Sequence, residues 1–365
     1  MKKVCIVTAT RAEYGLLRWT IDGVQKDSSL ELQLVVTGTH LDPAFGETWK
    51  QIAEDGYPIT AKVNMGLEAS RSGIVRSMSR CMAGMADVFE ALQPDLLVVL
   101  GDRYELLPIC SAATVMGIPV AHIAGGERTE GAIDNEIRNA VTMLSALHFP
   151  NSEQAAEEVC RMLGSSNKVF NVGEPCVENY LRLTLPSRQE LASTLGLDEC
   201  RRWILCTLHP ETRQTLEYNL EMARALIKAL LETQGSEIVV SSANADHGGA
   251  QMNALYAQVQ DPRFHLFPSL GQRNYLGMMK EAACVVGNSS SGVIETPFLG
   301  TPTLNIGLRQ EGRRMASNIV CCDASYEGIR AALHHLKPRK EPDAVFGDGH
   351  TSQHIIGHIK SFLYE

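Results

Sequence analysis

Carboxylates recur in this sequence just after short apolar runs. Asp102 stands in Gly101-Asp-Arg-Tyr-Glu105, after the run Leu96–Leu100, and Glu127 and Asp134 follow the run Pro119–Ile123. Like charges gathered in a poorly solvated place push their pKa values apart, so that one carboxyl takes a proton while another holds one. Arg103, beside Asp102, is suited to hold that carboxylate or an anion. For Asp102 the plainer role is a helix N-cap next to a solvated arginine. His122 lies at the end of the second run, where a hydrogen-bonded core imidazole is a commoner role than a ligand contact. The first run, Lys3–Thr8, leads into Thr8-Ala-Thr-Arg-Ala-Glu-Tyr-Gly15, so Arg11 and Glu13 are offered either to a ligand or to one another as a surface ion pair.

A second group of residues suits anions. In Val285-Val-Gly-Asn-Ser-Ser-Ser-Gly-Val-Ile-Glu295 an apolar run passes through a turn with three hydroxyls, Ser289, Ser290 and Ser291, into a helical segment. Free backbone N–H groups and a helix dipole there converge on a phosphate, and Glu295, a turn further on, can accept the two hydroxyls of a ribose. Serines at such a turn also cap helices, which leaves that alternative open. His209 follows the run Ile204–Thr207 and precedes Pro210, which keeps it in an extended turn suited to a positioned contact. His40, after Leu32–Thr37, is a weaker form of the same feature, and Arg309, Arg313 and Arg314 supply positive charge after Thr303–Asn305.

These residues require elements that end side by side. Apolar, β-branched runs alternate with stretches of helical period, the pattern of a parallel sheet covered by helices on both faces. Strands are predicted at Lys3–Thr8, Leu32–Thr37, Ile59–Val63, Asp95–Leu100, Pro119–Ile123 and Leu147–Pro150, with helices at Leu16–Gln25, Phe45–Asp55, Ser72–Leu92, Leu106–Met116 and Ile133–Ser145. A second series has strands at Ile204–Thr207, Glu237–Ser241, His265–Phe267, Cys284–Val286 and Thr303–Asn305, and helices at Leu216–Glu232 and Asn274–Glu281. The Pro-containing stretch 173–200 is the predicted linker. It divides a first domain, 1–175, from a second, 176–345, and the apolar face of the last segment, 346–365, suits a helix that crosses back to the first.

Composition narrows the partners. With 33 basic and 42 acidic residues the formal charge is −9, which removes the diffuse basic field that nucleic acid or an anionic membrane surface requires. The stretch Val4–Val7 is too short for a signal-peptide core, and no run approaches the roughly 20 residues of a membrane span, so a cytoplasmic protein is expected. Ten scattered cysteines without a C-x-x-C pair fit reduced core residues. The first turn lacks G-x-G-x-x-G, and His40, His122 and His209 follow separate strands, so neither a nicotinamide cofactor nor a metal is expected.

T-R-A-E-Y-G at 10–15, V-T-G-x-H-L at 36–41, G-D-R-Y-E at 101–105, H-I-x-G-G-E at 122–127, G-A-I-D at 131–134, I-R-N-A at 137–140, H-P-E-T at 209–212, G-N-S-S-S-G at 287–292 and N-I-G-x-R-Q at 305–310 occur in that order over nearly the whole chain. Together they resemble the hydrolysing UDP-N-acetylglucosamine 2-epimerases of sialic, legionaminic and related nonulosonate biosynthesis. The resemblance implies an α/β fold of two Rossmann-like domains in the GT-B arrangement, with a UDP-sugar in the interdomain cleft. It places UDP on the second domain, with Ser289, Ser290, Ser291 and His209 near the diphosphate, Glu295 on the ribose and the turn at Leu270 beside the uracil. Arg11, Arg309 and Arg313 add charge. Asp102, Glu127 and Asp134 face the sugar as the catalytic set together with His209, and Glu13, His40, Arg103, His122 and Arg138 join the substrate-binding set. The implied reaction eliminates UDP across C1–C2 and adds water to give the free 2-epimer, with no cofactor, from a homo-oligomer, a dimer or tetramer. One departure stands out: many relatives carry a catalytic glutamate two residues after the histidine of H-x-E-x-G, and here that position is Ala124. A GT-B glycosyltransferase and a non-catalytic nucleotide-sugar sensor are the alternatives. Acceptor dependence marks the first, and binding without UDP release the second.

Overall fold

The structure is a computed structural model that describes residues 1–68, 70–127, 133–244, 246, 248–336 and 338–365. Thr129 and the Gly131-Ala132 half of the G-A-I-D motif lie outside the described residues. The chain forms two compact units, Met1–Glu178 with Gly347–Glu365, and Asn179–Phe346.

In the first unit β1 (Lys2–Thr8), β2 (Leu30–Val36), β3 (Ile59–Lys62), β4 (Leu96–Leu100), β5 (Val120–Ile123) and β6 (Leu147–Phe149) form one parallel sheet in the order β3-β2-β1-β4-β5-β6. The middle of β1, Val4–Val7, and all of β4 are apolar because both faces of the sheet are covered. Val4 and Ile6 pack with Leu17 and Ile21 on one side, while Cys5 and Val7 pack with Met85 and Phe89 on the other. Full burial of each such side chain contributes about 1.5–3 kcal/mol. The C-terminal helix, Thr351–Tyr364, belongs to this unit: Ile355 and Ile359 enter its core and Lys360 pairs with Asp27 at 2.8 Å.

The second unit repeats the plan with β7 (Arg202–Thr207), β8 (Ser236–Ser241), β9 (Phe264–Phe267), β10 (Cys284–Gly287), β11 (Thr303–Ile306) and β12 (Ile319–Cys322), parallel and in the order β12-β11-β10-β7-β8-β9. Ile204 and Cys206 face one core, Trp203 and Leu205 the other. Two expectations change. The helix predicted to start at Leu16 begins at Arg11, and the one predicted over Phe45–Asp55 is helical only at Trp49–Glu54, because Pro43 and the left-handed Gly46 (φ 83) divide the chain before it into short 3-10 turns.

Candidate active site

Open parallel sheets bind ligands at the carboxyl ends of the strands where the strand order reverses. In the first unit that point lies between β1 and β4. After β1 the Thr10 hydroxyl accepts the Glu13 N–H at 3.3 Å, and Glu13 Oε2 accepts the N–H groups of Ala9 and Thr10 at 2.8 and 2.9 Å, a capping box that starts the helix Arg11–Lys26. Glu13 is therefore buried in its own helix cap and forms no surface pair with Arg11, which is exposed. Burial pushes the Glu13 carboxyl up to about 7, the Ala9 amide opposing it and the Glu105 charge adding to it.

After β4, Gly101 turns the chain at φ 91. Arg138, on the helix Asp134–Leu144, pairs with the Asp102 carboxylate and donates to the Glu127 carbonyl, so one buried guanidinium joins the ends of β4 and β5. Arg103 Nη2 donates to Glu105 Oε1 at 2.8 Å, and Glu105, fully buried, has no partner for Oε2 among the described residues. Burial and then the Asp102 charge push the Asp134 carboxyl up, against the pull of Arg103 and Arg138. The two candidate histidines of this unit are sealed. His122 donates from Nε2 to the Gly101 carbonyl at 2.8 Å and meets the Thr142 hydroxyl with Nδ1 at 3.1 Å, and His40 bonds Thr8 and Thr48 at 3.1 and 2.7 Å. Both are fully buried, and burial lowers each to about 4. Neither ring has a nitrogen left for a substrate, contrary to the expectation that they bind it directly; they hold the strand ends in place.

In the second unit the reversal lies between β7 and β10. Gly287 (φ 137) lets β10 pass so close to β7 that a Cβ would strike the Thr207 carbonyl. Asn288 follows, fully buried, and Ser289 is the N-cap residue of a helix of five residues, Ser290–Ile294. Glu295 follows in the right-handed helical region, its N–H donating to the Ser291 carbonyl, and a further helical turn runs over Thr296–Leu299. No capping hydrogen bond engages the Ser289 side chain, and the first N–H groups of a helix have no intrahelical partner. Tyr275 lies against Thr207, with hydroxyls 3.2 Å apart, and bonds Ser289 and Ser291. Arg309 donates to the Asn288 carbonyl at 3.2 Å, and the nearby Arg313 charge helps lower its pKa, after burial. His209 Nδ1 accepts the Asn244 N–H at 3.1 Å, and burial, then the Arg309 charge, lowers the ring to about 4. Glu295 is buried with Oε2 unpartnered among the described residues, and burial pushes its carboxyl up to about 7 against hydrogen bonds from Tyr180 and Ser291. The Leu270 side chain is in the core beside Trp203 and Met278, so only its backbone is available at that turn.

Thus Asp102, Arg138 and Asp134 come together in the first unit with the main chain of Glu127, and Ser289, Ser290, Ser291, His209, Arg309 and Glu295 group around β7 and β10 in the second. Three residues with clear positions here were not singled out in the sequence: Glu105, Asn288 and Glu211, whose Oε1 accepts the Leu308 N–H at 2.7 Å. Glu105 and Asn288 sit inside motifs whose neighbours drew attention, and only their burial distinguishes them.

Known proteins resemble this chain over nearly its full length. A family model described as UDP-N-acetylglucosamine 2-epimerase matches residues 22–360. The GDP/UDP-N,N'-diacetylbacillosamine 2-epimerase (hydrolyzing) of Campylobacter jejuni is 36% identical over 343 residues, 93% of this chain and 88% of that protein. The UDP-N,N'-diacetylbacillosamine 2-epimerase (hydrolyzing) of Legionella pneumophila is 29% identical over 367 residues, 99% and 96% of the two chains. The crystal structure of UDP-GlcNAc 2-epimerase from Neisseria meningitidis bound to UDP-GlcNAc has a TM-score of 0.80 at 17% identity, covering 98% of this chain and 100% of that one, a likeness of fold. No helix among the described residues is long and apolar enough to cross a membrane.

Proposed function

This chain belongs to the UDP-N-acetylglucosamine 2-epimerase family, and we propose that it acts as a hydrolysing 2-epimerase on a UDP-linked 2-acetamido sugar. UDP-N,N'-diacetylbacillosamine is the substrate expected first, since the Campylobacter and Legionella relatives are named for it, and UDP-GlcNAc the second. The observation that supports the reading is Arg138, which holds the Asp102 carboxylate and the main-chain carbonyl of Glu127 and acts on the Asp134 carboxyl, itself pushed up by burial and by the Asp102 charge. A weakly acidic C2–H needs a positioned carboxylate base and a leaving group stabilised as it departs.

One carboxylate, Asp102 in the first instance, removes the C2 proton as the C1–O bond breaks and UDP leaves with the electron pair, giving a 2-acetamidoglycal. Water then adds, its oxygen to C1, while a carboxyl returns a proton to the opposite face of C2. The raised Asp134 suits that second task. Glu127 is the candidate for the place that Ala124 leaves empty. On the second unit the three serines, His209, Arg309 and Arg313 are suited to the diphosphate, Glu295 to the ribose and the Leu270 backbone to the base. Arg11 adds charge from its exposed first helical turn.

NMR of the products from UDP-N,N'-diacetylbacillosamine, UDP-GlcNAc and their GDP counterparts, run in D₂O, tests this. The expected result is UDP and a free 2-epimer bearing deuterium at C2 without any acceptor. UDP release that depends on an acceptor sugar would mark a transferase, and binding without release a sensor.

A further inference from the structure

Asn288 uses every polar group it has on the surroundings of the β10 turn. Its Oδ1 accepts the His209 N–H at 2.7 Å and its Nδ2 donates to the His209 carbonyl at 2.9 Å. Its own N–H donates to the Thr207 carbonyl at 3.1 Å, and its carbonyl accepts Arg309 Nη1 at 3.2 Å and Gln310 Nε2 at 2.9 Å. One fully buried amide thus holds both main-chain polar groups of His209, while Pro210 keeps that residue out of the helical region. The ring is fixed at a third point. Because the Asn244 N–H donates to Nδ1, that nitrogen bears no proton, and a neutral imidazole must carry it on Nε2.

We propose that Asn288 is a positioning residue for the 2-epimerase reaction: with the Asn244 amide it holds His209 as a fixed Nε2–H donor for the departing diphosphate and couples it to Arg309 as one unit. The inference rests on the reading of the second unit as the UDP site. A histidine free to rotate or to exchange tautomers would meet the developing charge with the wrong nitrogen for part of the time. The clamp removes that freedom before substrate arrives, the kind of preorganisation that makes a donor effective in the transition state.

Two measurements test this. The first is ¹⁵N NMR of the wild-type ring at neutral pH, with His209→Gln to assign it; Nδ1 unprotonated and Nε2 protonated is the expected state. The second is a kinetic cycle of Asn288→Ala, His209→Ala and the double variant. Asn288→Ala should lower kcat by about 10²-fold, the loss typical of a misplaced catalytic group, with KM changed by less than about threefold. The double variant should be no slower than His209→Ala alone, because residues acting as a unit are not additive. A ring protonated on Nδ1 overturns the proposal whatever the kinetics, and that result is decisive also if Asn288→Ala does not fold. Near-normal kcat in Asn288→Ala, or losses that multiply in the double variant, overturn it too. A wild-type chain that binds UDP yet releases none from any UDP-sugar overturns the functional reading instead, and with it the leaving-group role.

Discussion

The two units have the same strand order and opposite furniture. At the reversal point of each, a glycine with positive φ ends the fourth strand, Gly101 at φ 91 and Gly287 at φ 137. Beyond Gly101 come Asp102, Arg103 and the buried Glu105; beyond Gly287 come Asn288 and three serines, with no charge until Glu295. The loop after β1 buries Glu13 in a helix cap, whereas the loop after β7 presents His209 through main-chain bonds to Asn288. One backbone frame thus carries two different sets of side chains, because it specifies where strand ends meet and leaves the side chains to decide which charge is welcome. Carboxylates held by arginines suit proton transfer, and uncharged donors near Arg309 suit an anion.

If that division is right, replacing carboxylates should damage turnover and leave nucleotide affinity alone. Asp102→Asn, Glu127→Gln and Asp134→Asn keep the volume of each group and remove its basicity. The variant at the C2 base should lose roughly 10²–10⁴ in kcat, the value of a positioned base, while UDP affinity measured by calorimetry stays within about twofold. We rank Asp102 first, Glu127 second and Asp134 third. Near-normal turnover in all three, or a C2 hydrogen retained in D₂O, would break the assignment.

The two glycines offer a structural contrast. A methyl at 287 meets the Thr207 carbonyl, whereas one at 101 has nothing within 4 Å. Gly287→Ala should destabilise by roughly 3 kcal/mol or more through overpacking and strain together, and Gly101→Ala by about 1–2 kcal/mol through conformation alone. Thermal unfolding of both variants checks the order. Equal losses would show that the close approach of β10 to β7 matters little.

On the anion side, Ser290→Ala and Arg309→Ala should each weaken UDP binding by roughly 1.5–3 kcal/mol, the worth of a hydrogen bond to a charged group. Proton exchange at C2 should change less than UDP affinity. Unchanged calorimetric affinity in both variants would place the nucleotide elsewhere.

Much of this frame is legible in the sequence because buried parallel strands such as Leu96–Leu100 read as continuous apolar runs, and their carboxyl ends point to the site residues. The strand outside the predicted set, Ile319–Cys322, is an apolar run of only four residues that forms a half-exposed edge strand, and no candidate site residue follows it to mark its end. Site chemistry was less legible where it depends on distant partners. His40, His122 and His209 look alike in sequence, each at a strand end, yet Thr48, Gly101 and Thr142 seal the first two while Asn244 leaves Nε2 of the third without a protein partner among the described bonds. Glu13 is a different case: Thr10-Arg-Ala-Glu13 fits the capping-box spacing, a local signal that places its carboxylate on the helix cap.

Each unit also holds one buried carboxyl pushed up to about 7, Glu13 and Glu295, and these two sharpen the comparison most finely. Burial comes first among the causes in both, but Glu13 is tied to two backbone N–H groups, while Glu295 has an oxygen without a partner among the described residues. With its folded pKa above the ordinary 4.5, Glu295 binds a proton in the folded chain that the unfolded chain has lost between about pH 4.5 and 7. Its contribution to stability is therefore fully present below that window and is lost as pH rises through it. Glu295→Gln should flatten this part of the pH–stability curve. If ribose hydroxyls donate to Glu295, they favour the charged form and lower its pKa, so UDP binding near pH 6.5 should release part of a proton. Calorimetry in two buffers of different ionisation enthalpy measures that release. It should vanish in Glu295→Gln and persist in Glu13→Gln, whose carboxyl is already committed to its helix cap. Release that survives in Glu295→Gln would mean that the ribose contacts some other titrating group, and the division of labour between the two units would then need a different residue on the nucleotide side.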